Sequence, residues 1–457
     1  MRVKLTRTLL LSSFFFLLIL GLKAQNEKSH VKYSKGTYLG KSSPLSSWKF
    51  KEKKYADVTQ KKAAWKKDIK GIPNFGDRGN AVRSDADHIL PKNGDPLVKA
   101  QTQFSKQKSV ADEITILQDY DAIDFDEAQI WPPDCNGDIG LNYYVEGTNG
   151  GGGSVIQIYD KNTGELVEST TTTPLWAELG TDPVGDIYVY FDRFENRWVI
   201  AEITFSSILM AVSESDDPLG SYNAYEFFTQ GLPDYPKFGN WDDAYYITTN
   251  EFNGFNPIYA LDKEDLLTGA NDVDIIIFDP IQKWGNGSIE TNTPINFEGT
   301  ILPNENTPFS AFRMYDDEWP GGGQDRLEYY QFTPDFDDPD NSNFDGPFDI
   351  NLAPFESNLC GYGLFDCLEQ PDGSLVSAIH TVIMNKIQYR NFGDYESILL
   401  NFSVDVTGSD VAGVRWVELR KESDSGWNLY QEGTMNLEDG VSRFMGTITQ
   451  DSKGNIL

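Results

Sequence analysis

Four carboxylates and one run of oxygen ligands are the residues whose types and spacing could do chemistry. Asp234, Glu251, Asp394 and Glu396 lie among aromatic and basic neighbours, in Asp234-Tyr235-Pro236-Lys237, Asn250-Glu251-Phe252 and Arg390-Asn391-Phe392-Gly393-Asp394-Tyr395-Glu396. Paired acids of this kind can serve as general acid and base on a glycosidic bond, with aromatic faces stacking on the sugar. Lys237, Asn250, Arg390 and Arg415 are the residues placed to bind a ligand beside them. The competing reading is structural, because salt bridges between repeats and turn hydrogen bonds use the same residue types without catalysis. Sequence spacing alone does not show whether the four carboxylates converge.

The oxygen-ligand run is Asp335, Asp337, Asp340, Asn341, Asn343 and Asp345, with Gly346 behind it. Calcium takes six to eight oxygens, and alternating Asp and Asn before a Gly turn can supply them. Counting from Asn341, the twelfth position is Leu352 rather than Glu, so this is no EF-hand. Calcium is the candidate cofactor, and a solvated acidic loop is the alternative. Cys360 and Cys367 flank Gly361-Tyr362-Gly363 and can form a local disulfide, leaving Cys135 over. With three histidines (His30, His88, His380), a His-based zinc site or triad has little support, and His380 reads as a satisfied core or channel residue. The chain has no nucleophile elbow, phosphate loop or dinucleotide fingerprint.

Repeated strands must position these residues. Six β-rich runs follow Gly, Asp or Asn turns: Leu141–Glu146, Trp198–Glu202, Tyr245–Thr249, Phe309–Met314, Leu375–Thr381 and Phe444–Thr449. Their starts are 57, 47, 64, 66 and 69 residues apart. A second apolar strand recurs as Ile156–Asp160, Ile208–Val212, Pro257–Asp262, Leu327–Phe332 and Val414–Leu419. Near-regular strand-rich units predict an all-β fold, a β-propeller of six blades with aromatic side chains packed between neighbours. The sixth unit stops at Leu457 as a strand begins, which predicts an incomplete last blade and a chain that continues beyond it.

Residues 1–24 read as a signal peptide: Arg2, Lys4 and Arg7 precede an uncharged apolar run from Leu9 to Leu22, with cleavage after Ala24. That run is shorter than the roughly 20 residues needed to cross a bilayer. Residues 25–124 form a basic leader expected to be low in structure, and 125–457 form the propeller. From Asn26 to Val110 there are 19 Lys/Arg against 8 Asp/Glu; from Ala111 onward there are 15 against 62, within a total of −32. So acidic a body argues against nucleic acid as a partner, since phosphate binding needs a basic surface. If the leader docks on the acidic body, Trp48 and Trp65 are its anchors.

Trp131-Pro132-Pro133-Asp134, Asp138–Val145, Tyr190–Val199, Pro233–Lys237, Thr248–Phe252, Tyr389–Asp394 and Gly413–Trp416 together resemble a large family of exported bacterial proteins, mostly uncharacterised. The resemblance spans about residues 125–457. It implies a propeller-like fold and export, and no particular activity. Members from Bacteroidetes commonly carry a C-terminal sorting tail for type IX secretion; this sequence shows none, in keeping with the expected truncation. The expectation is a secreted or cell-surface module that binds carbohydrate or protein, with a glycan hydrolase using an axial carboxylate site as the alternative.

Overall fold

The computed structural model describes residues 31–48, 94–98, 118, 122–130 and 132–457, apart from 152, 252–255, 280–290, 306, 320–322, 362–366, 371–372, 385, 423–425 and 438. The first strand, β1 (Val31–Lys41), comes from the leader. Five antiparallel meanders of four strands follow. Unit one is β2 (Asn136–Ile139), β3 (Tyr143–Thr148), β4 (Val155–Asp160) and β5 (Leu166–Thr171). Unit two is β6 (Gly185–Asp192), β7 (Arg197–Ile203), β8 (Ser207–Ser213) and β9 (Tyr222–Phe228). Unit three is β10 (Pro233–Asn240), β11 (Ala244–Glu251), β12 (Ile258–Asp262) and β13 (Asp272–Phe278). Unit four is β14 (Thr293–Phe297), β15 (Phe309–Tyr315), β16 (Arg326–Thr333) and β17 (Asn343–Asn351). A small hairpin, β18 (Leu368–Glu369) with β19 (Leu375–Val376), precedes unit five: β20 (Ile387–Asn391), β21 (Glu396–Asp405), β22 (Ala412–Lys421) and β23 (Asn428–Met435).

The middle strands show why the units stack. Every residue of β8 is buried, as expected for a strand covered on both faces. Ile208, Met210 and Val212 enter a core shared with unit three, while Leu209 and Ala211 enter one shared with unit one. Period-two alternation thus feeds two interfaces at once.

A four-strand meander returns the chain to the end where it began, so the first strands all run the same way. They also lie side by side. The Val189 N–H donates to Asn136 Oδ1 (2.6 Å), Asn296 Nδ2 donates to the Phe238 carbonyl (2.9 Å), and β14 pairs in parallel with β20. A Cβ on Gly239 would stand 2.7 Å from both Pro294 and Phe309, so unit four can sit against β10 only where this side chain is missing. The ring closes through charge. Lys386, next to β20, reaches Asp138 of β2 (3.4 Å) and pairs with Glu298; Arg193 holds Asp138 (2.8 Å) and Glu298 (3.0 Å). Four units thereby share one ion cluster at the axis, its two carboxylates buried.

The expected six-blade count is corrected to five four-stranded units among the described residues. Leu375–Thr381 supplies only the short β19, and Phe444–Thr449 contains no strand. Unit five has four strands, and Lys386 beside it reaches Asp138 of unit one.

The leader is more structured than its composition suggests. β1 lies between β13 and β9, antiparallel to both, and joins units two and three into one nine-stranded sheet. Leu45 and Trp48 are buried in the core between units one and two, and Trp48 Nε1 donates to the Ser43 carbonyl (3.2 Å). Farther along, Asp95 is clamped by Arg415. The signal peptide, Trp65, His30 and His88 lie outside the described residues.

Candidate functional site at the axial mouth

The first strands of units one, two and three open on aspartates: Asp134 just before β2, Asp186 in β6 and Asp234 in β10. The backbone there is unusual. Asp134 has φ of 45°, Asp186 of 54° and Tyr235 of 52°, in the left-handed region that non-glycine residues seldom occupy. β6 and β10 also carry β-bulges at matching places, between Gly185 and Tyr188 and between Asp234 and Lys237. A bulge re-aims the side chains beside it, and bulges concentrate near sites.

Specific bonds tie these openings together. Asn149 donates to Asp134 Oδ2 (2.7 Å) and accepts from the Asp186 N–H (2.8 Å). Tyr235 packs on Val382 and Met384, which lead into unit five. Burial raises the pKa of the Tyr235 phenol, and the carboxylates of Asp134 and Asp234 raise it further, so acids from units one and three face one hydroxyl. The result is an acidic mouth at the opening end of the axis, with the ion cluster of Asp138, Arg193, Glu298 and Lys386 deeper in. Burial disfavours the charged form of Asp138, but Lys386 and Arg193 outweigh it and hold the carboxyl well below its usual range.

The four carboxylates predicted from sequence do not converge. Asp234 lies at the mouth, opposite Asn250 of β11. Glu251 is one residue farther along β11 and therefore on the other face, where it accepts from Tyr259 and Thr249 between units two and three. Asp394 and Glu396 follow β20 and so sit at the opposite end of the axis. Asp394 is an exposed turn residue; Glu396 is buried, accepting from Tyr389 and Thr307 and pairing with Lys421 (3.3 Å).

Of the predicted binding residues, Lys237 and Asn250 are at the mouth and the other two are not. Arg390, on β20, belongs to the far end with Asp394. Arg415 is fully buried, pairing with Asp95 (2.8 Å) and Glu432 (3.2 Å) and donating to the Ala353 and Pro354 carbonyls. It clamps the leader to unit five.

The proposed calcium residues divide into two sets. Asp335 accepts from the Asp338 N–H (2.8 Å) and from Asn341 Nδ2 (3.3 Å) across a 3₁₀ turn. Asn343 and Asp345 lie on β17, opposite Thr333 and Gln331, and Asp337 and Asp340 belong to the turn segment. The turn oxygens of Asp335 and Asp338 therefore already serve local donors. Cys360 and Cys367 are joined by a disulfide (Cα–Cα 5.6 Å), and Cys135 is an exposed thiol beside Asp134. His380 is buried with Nε2 unpartnered, and burial pushes its pKa down to about 4, leaving it neutral at pH 7.

Asp134 and Asp186 are mouth residues that the sequence reading did not assign to a site. A signal was present: each of the three aspartates lies about ten residues before the second strand of its unit.

No protein-family model matches this chain, and no curated protein does. Among solved structures, a thermostable family-43 glycoside hydrolase is similar at 14% identity and a TM-score of 0.35, over 68% of this chain and 96% of that one. An endo-1,4-beta-xylanase from Bacteroides thetaiotaomicron is similar at 11% identity and 0.31, over 65% and 94%. The WD40 domain of SCAP from fission yeast is similar at 9% identity and 0.31, over 68% and 63%. Scores this low carry no residue correspondence, and the ring described above rests on this chain's own strand pairing.

Proposed function

We propose that this chain is a secreted or outer-surface β-propeller that binds glycan at its axial mouth. The observation that carries the reading is the grouping of Asp134, Asp186 and Asp234 at one end of the axis. Each stands at or beside left-handed backbone, in three consecutive units. Carboxylates and amides accept and donate to sugar hydroxyls, and Tyr235 offers an aromatic surface among them. Strain kept at equivalent positions needs surrounding structure to hold it, which fits a preorganised site. A glycan array followed by titration calorimetry on the best hit tests this, with Asp134→Asn and Asp234→Asn expected to weaken binding at least tenfold. Binding that survives both substitutions would place the site elsewhere.

The second reading is hydrolysis of the bound glycan, favoured by having more than one carboxylate at the mouth. It predicts reducing ends released from the same hit on incubation, lost in the Asp234→Asn protein. An intact glycan after long incubation supports binding alone.

A further inference from the structure

Beneath the mouth, between units three and four, lies a wedge of buried polar groups that the protein does not satisfy. Lys237 faces Thr248 across β10 and β11, and Gly239 faces Tyr246 two residues deeper. This face of unit three meets unit four, because Tyr246 stacks on Phe309 (3.6 Å) and the missing Cβ of Gly239 would touch Pro294. Those contacts form an apolar floor. Lys237 stands two residues above Gly239, and Asn292 two residues above Pro294, so the parallel first strands bring them to the same level.

Among the described residues the polar atoms there have no hydrogen-bond partner. Thr248 Oγ1 and both side-chain heteroatoms of Asn292 lack hydrogen bonds, and Thr248 and Asn292 are each 1% exposed. Lys237 is 2% exposed and has no hydrogen bond or ion pair among the described residues; the Tyr235 ring lies 3.6 Å from its Nζ. Leaving buried donors and acceptors unmade is expensive in any fold, and three such residues in one wedge call for a ligand. The wedge is rich in donors: an ammonium, a hydroxyl and an amide.

We propose that this wedge takes the anionic group, carboxylate or sulfate, of an acidic sugar residue in the glycan bound at the mouth. The proposal rests on the glycan reading above and names its substrate class. Lys237 supplies the charge, with Thr248 and Asn292 completing the oxygens' hydrogen bonds. Around Lys237 stand Tyr235 on its own strand, whose ring lies 3.6 Å from Nζ, Thr248 opposite it on β11, and Asn292 at the same level on the approach to β14; Asp234 lies three residues back along β10. Of these only Asp234 and Tyr235 titrate, and among the described residues Lys237 has no ion pair that would hold the ammonium charged. Burial pushes the Lys237 pKa down to about 7. An anion must therefore bind together with a proton above that pH, so affinity is expected to fall about tenfold between pH 6 and pH 8.

The test is an array carrying trigalacturonate, sulfated trigalactose, neutral trigalactose and mixed uronate-containing, sulfated and neutral glycans. Calorimetry then follows on the tightest acidic hit at pH 6 and pH 8, for the wild type, Lys237→Met and Thr248→Val. The expected result is an acidic hit bound at least tenfold better than its neutral counterpart and weakening with pH, with Lys237→Met losing both the preference and the pH dependence. The uronate and sulfate arms identify which anion is taken. Thr248→Val keeps the lysine, and is expected to weaken the acidic hit while leaving the pH dependence in place. Equal binding of neutral and acidic glycans, or a preference that survives Lys237→Met, overturns the proposal while leaving the mouth as a glycan site. No glycan bound at all overturns both.

Discussion

Replacing Asp138 by Asn tests how the ring is closed. Asp138 receives Arg193 at 2.8 Å and Lys386 at 3.4 Å, and its Oδ2 accepts the Phe191 N–H at 3.1 Å. Its side chain is only 7% exposed. Asn keeps the size and removes the charge, leaving two half-buried cations against Glu298 alone. Removing one partner from a buried ion pair typically costs about 3–5 kcal/mol, and Glu298 retains part of the compensation, so a loss of about 3 kcal/mol is expected. Urea denaturation at pH 7 measures it, and much of the loss is expected to persist in 0.5 M salt because the two carboxylates are buried. Hydrogen exchange locates it: amides of β2 and of β20 are expected to open together, since Lys386 joins those two strands across the closure. A carboxyl held below its usual value contributes stability in full above its unfolded pKa of 3.8, lost as pH falls below that. Asp138→Asn is therefore expected to narrow the gap to wild type at low pH. A loss under about 1 kcal/mol, or exchange confined to unit one, would refute closure through this cluster.

Three further outcomes follow from buried groups. Trp48→Ala empties a site packed against Tyr222 (ring centroids 6.1 Å apart) and is expected to cost about 3–5 kcal/mol, whereas a leader that does not dock would show almost no change in urea midpoint. Glu202 is buried, accepts from Ser154 and Trp176, and has its pKa pushed up to about 7 by burial. Because the unfolded carboxyl ionises first, stability is expected to fall by roughly 3 kcal/mol as pH rises from about 4.5 to 7, and Glu202→Gln to flatten that slope; a slope unchanged in the variant contradicts the assignment. Arg415→Met strands Asp95 and is expected to speed proteolytic cleavage near residues 94–98 before the body is cut, while unchanged cleavage would mean the clamp is unimportant.

The parts of the fold that could be read from sequence are those where burial dictates composition. All five third strands were foreseen, from Ile156–Asp160 to Val414–Leu419, because a strand buried over most of its length carries a dense run of apolar and aromatic residues. Four second strands were also foreseen, but the fifth was misplaced. The insertion between β17 and β20 contains Leu375–Thr381, whose β-rich composition imitates the true β21 at Glu396–Asp405. That shift in phase produced the sixth unit. The first strands were hidden because they carry the axis: Asn136-Gly137-Asp138 and Asp234-Tyr235-Pro236-Lys237 look like turns, and only the neighbouring units make them strands. β1 was obscured by lysines, which an outer strand can point into solvent. At the site, Asp234, Lys237 and Asn250 were legible from their aromatic and charged context. Asp134 and Asp186 were not, since convergence around an axis is a property of the closed ring.

The most direct test of the central claim is calorimetric titration of the best glycan hit against wild type, Asp134→Asn, Asp186→Asn and Asp234→Asn, each checked for an unchanged urea midpoint. The account predicts that all three folded variants bind at least tenfold more weakly, because acids from three units serve one mouth. Wild-type affinity in all three, with loss instead in a variant at the far end such as Asp394→Asn, would contradict it.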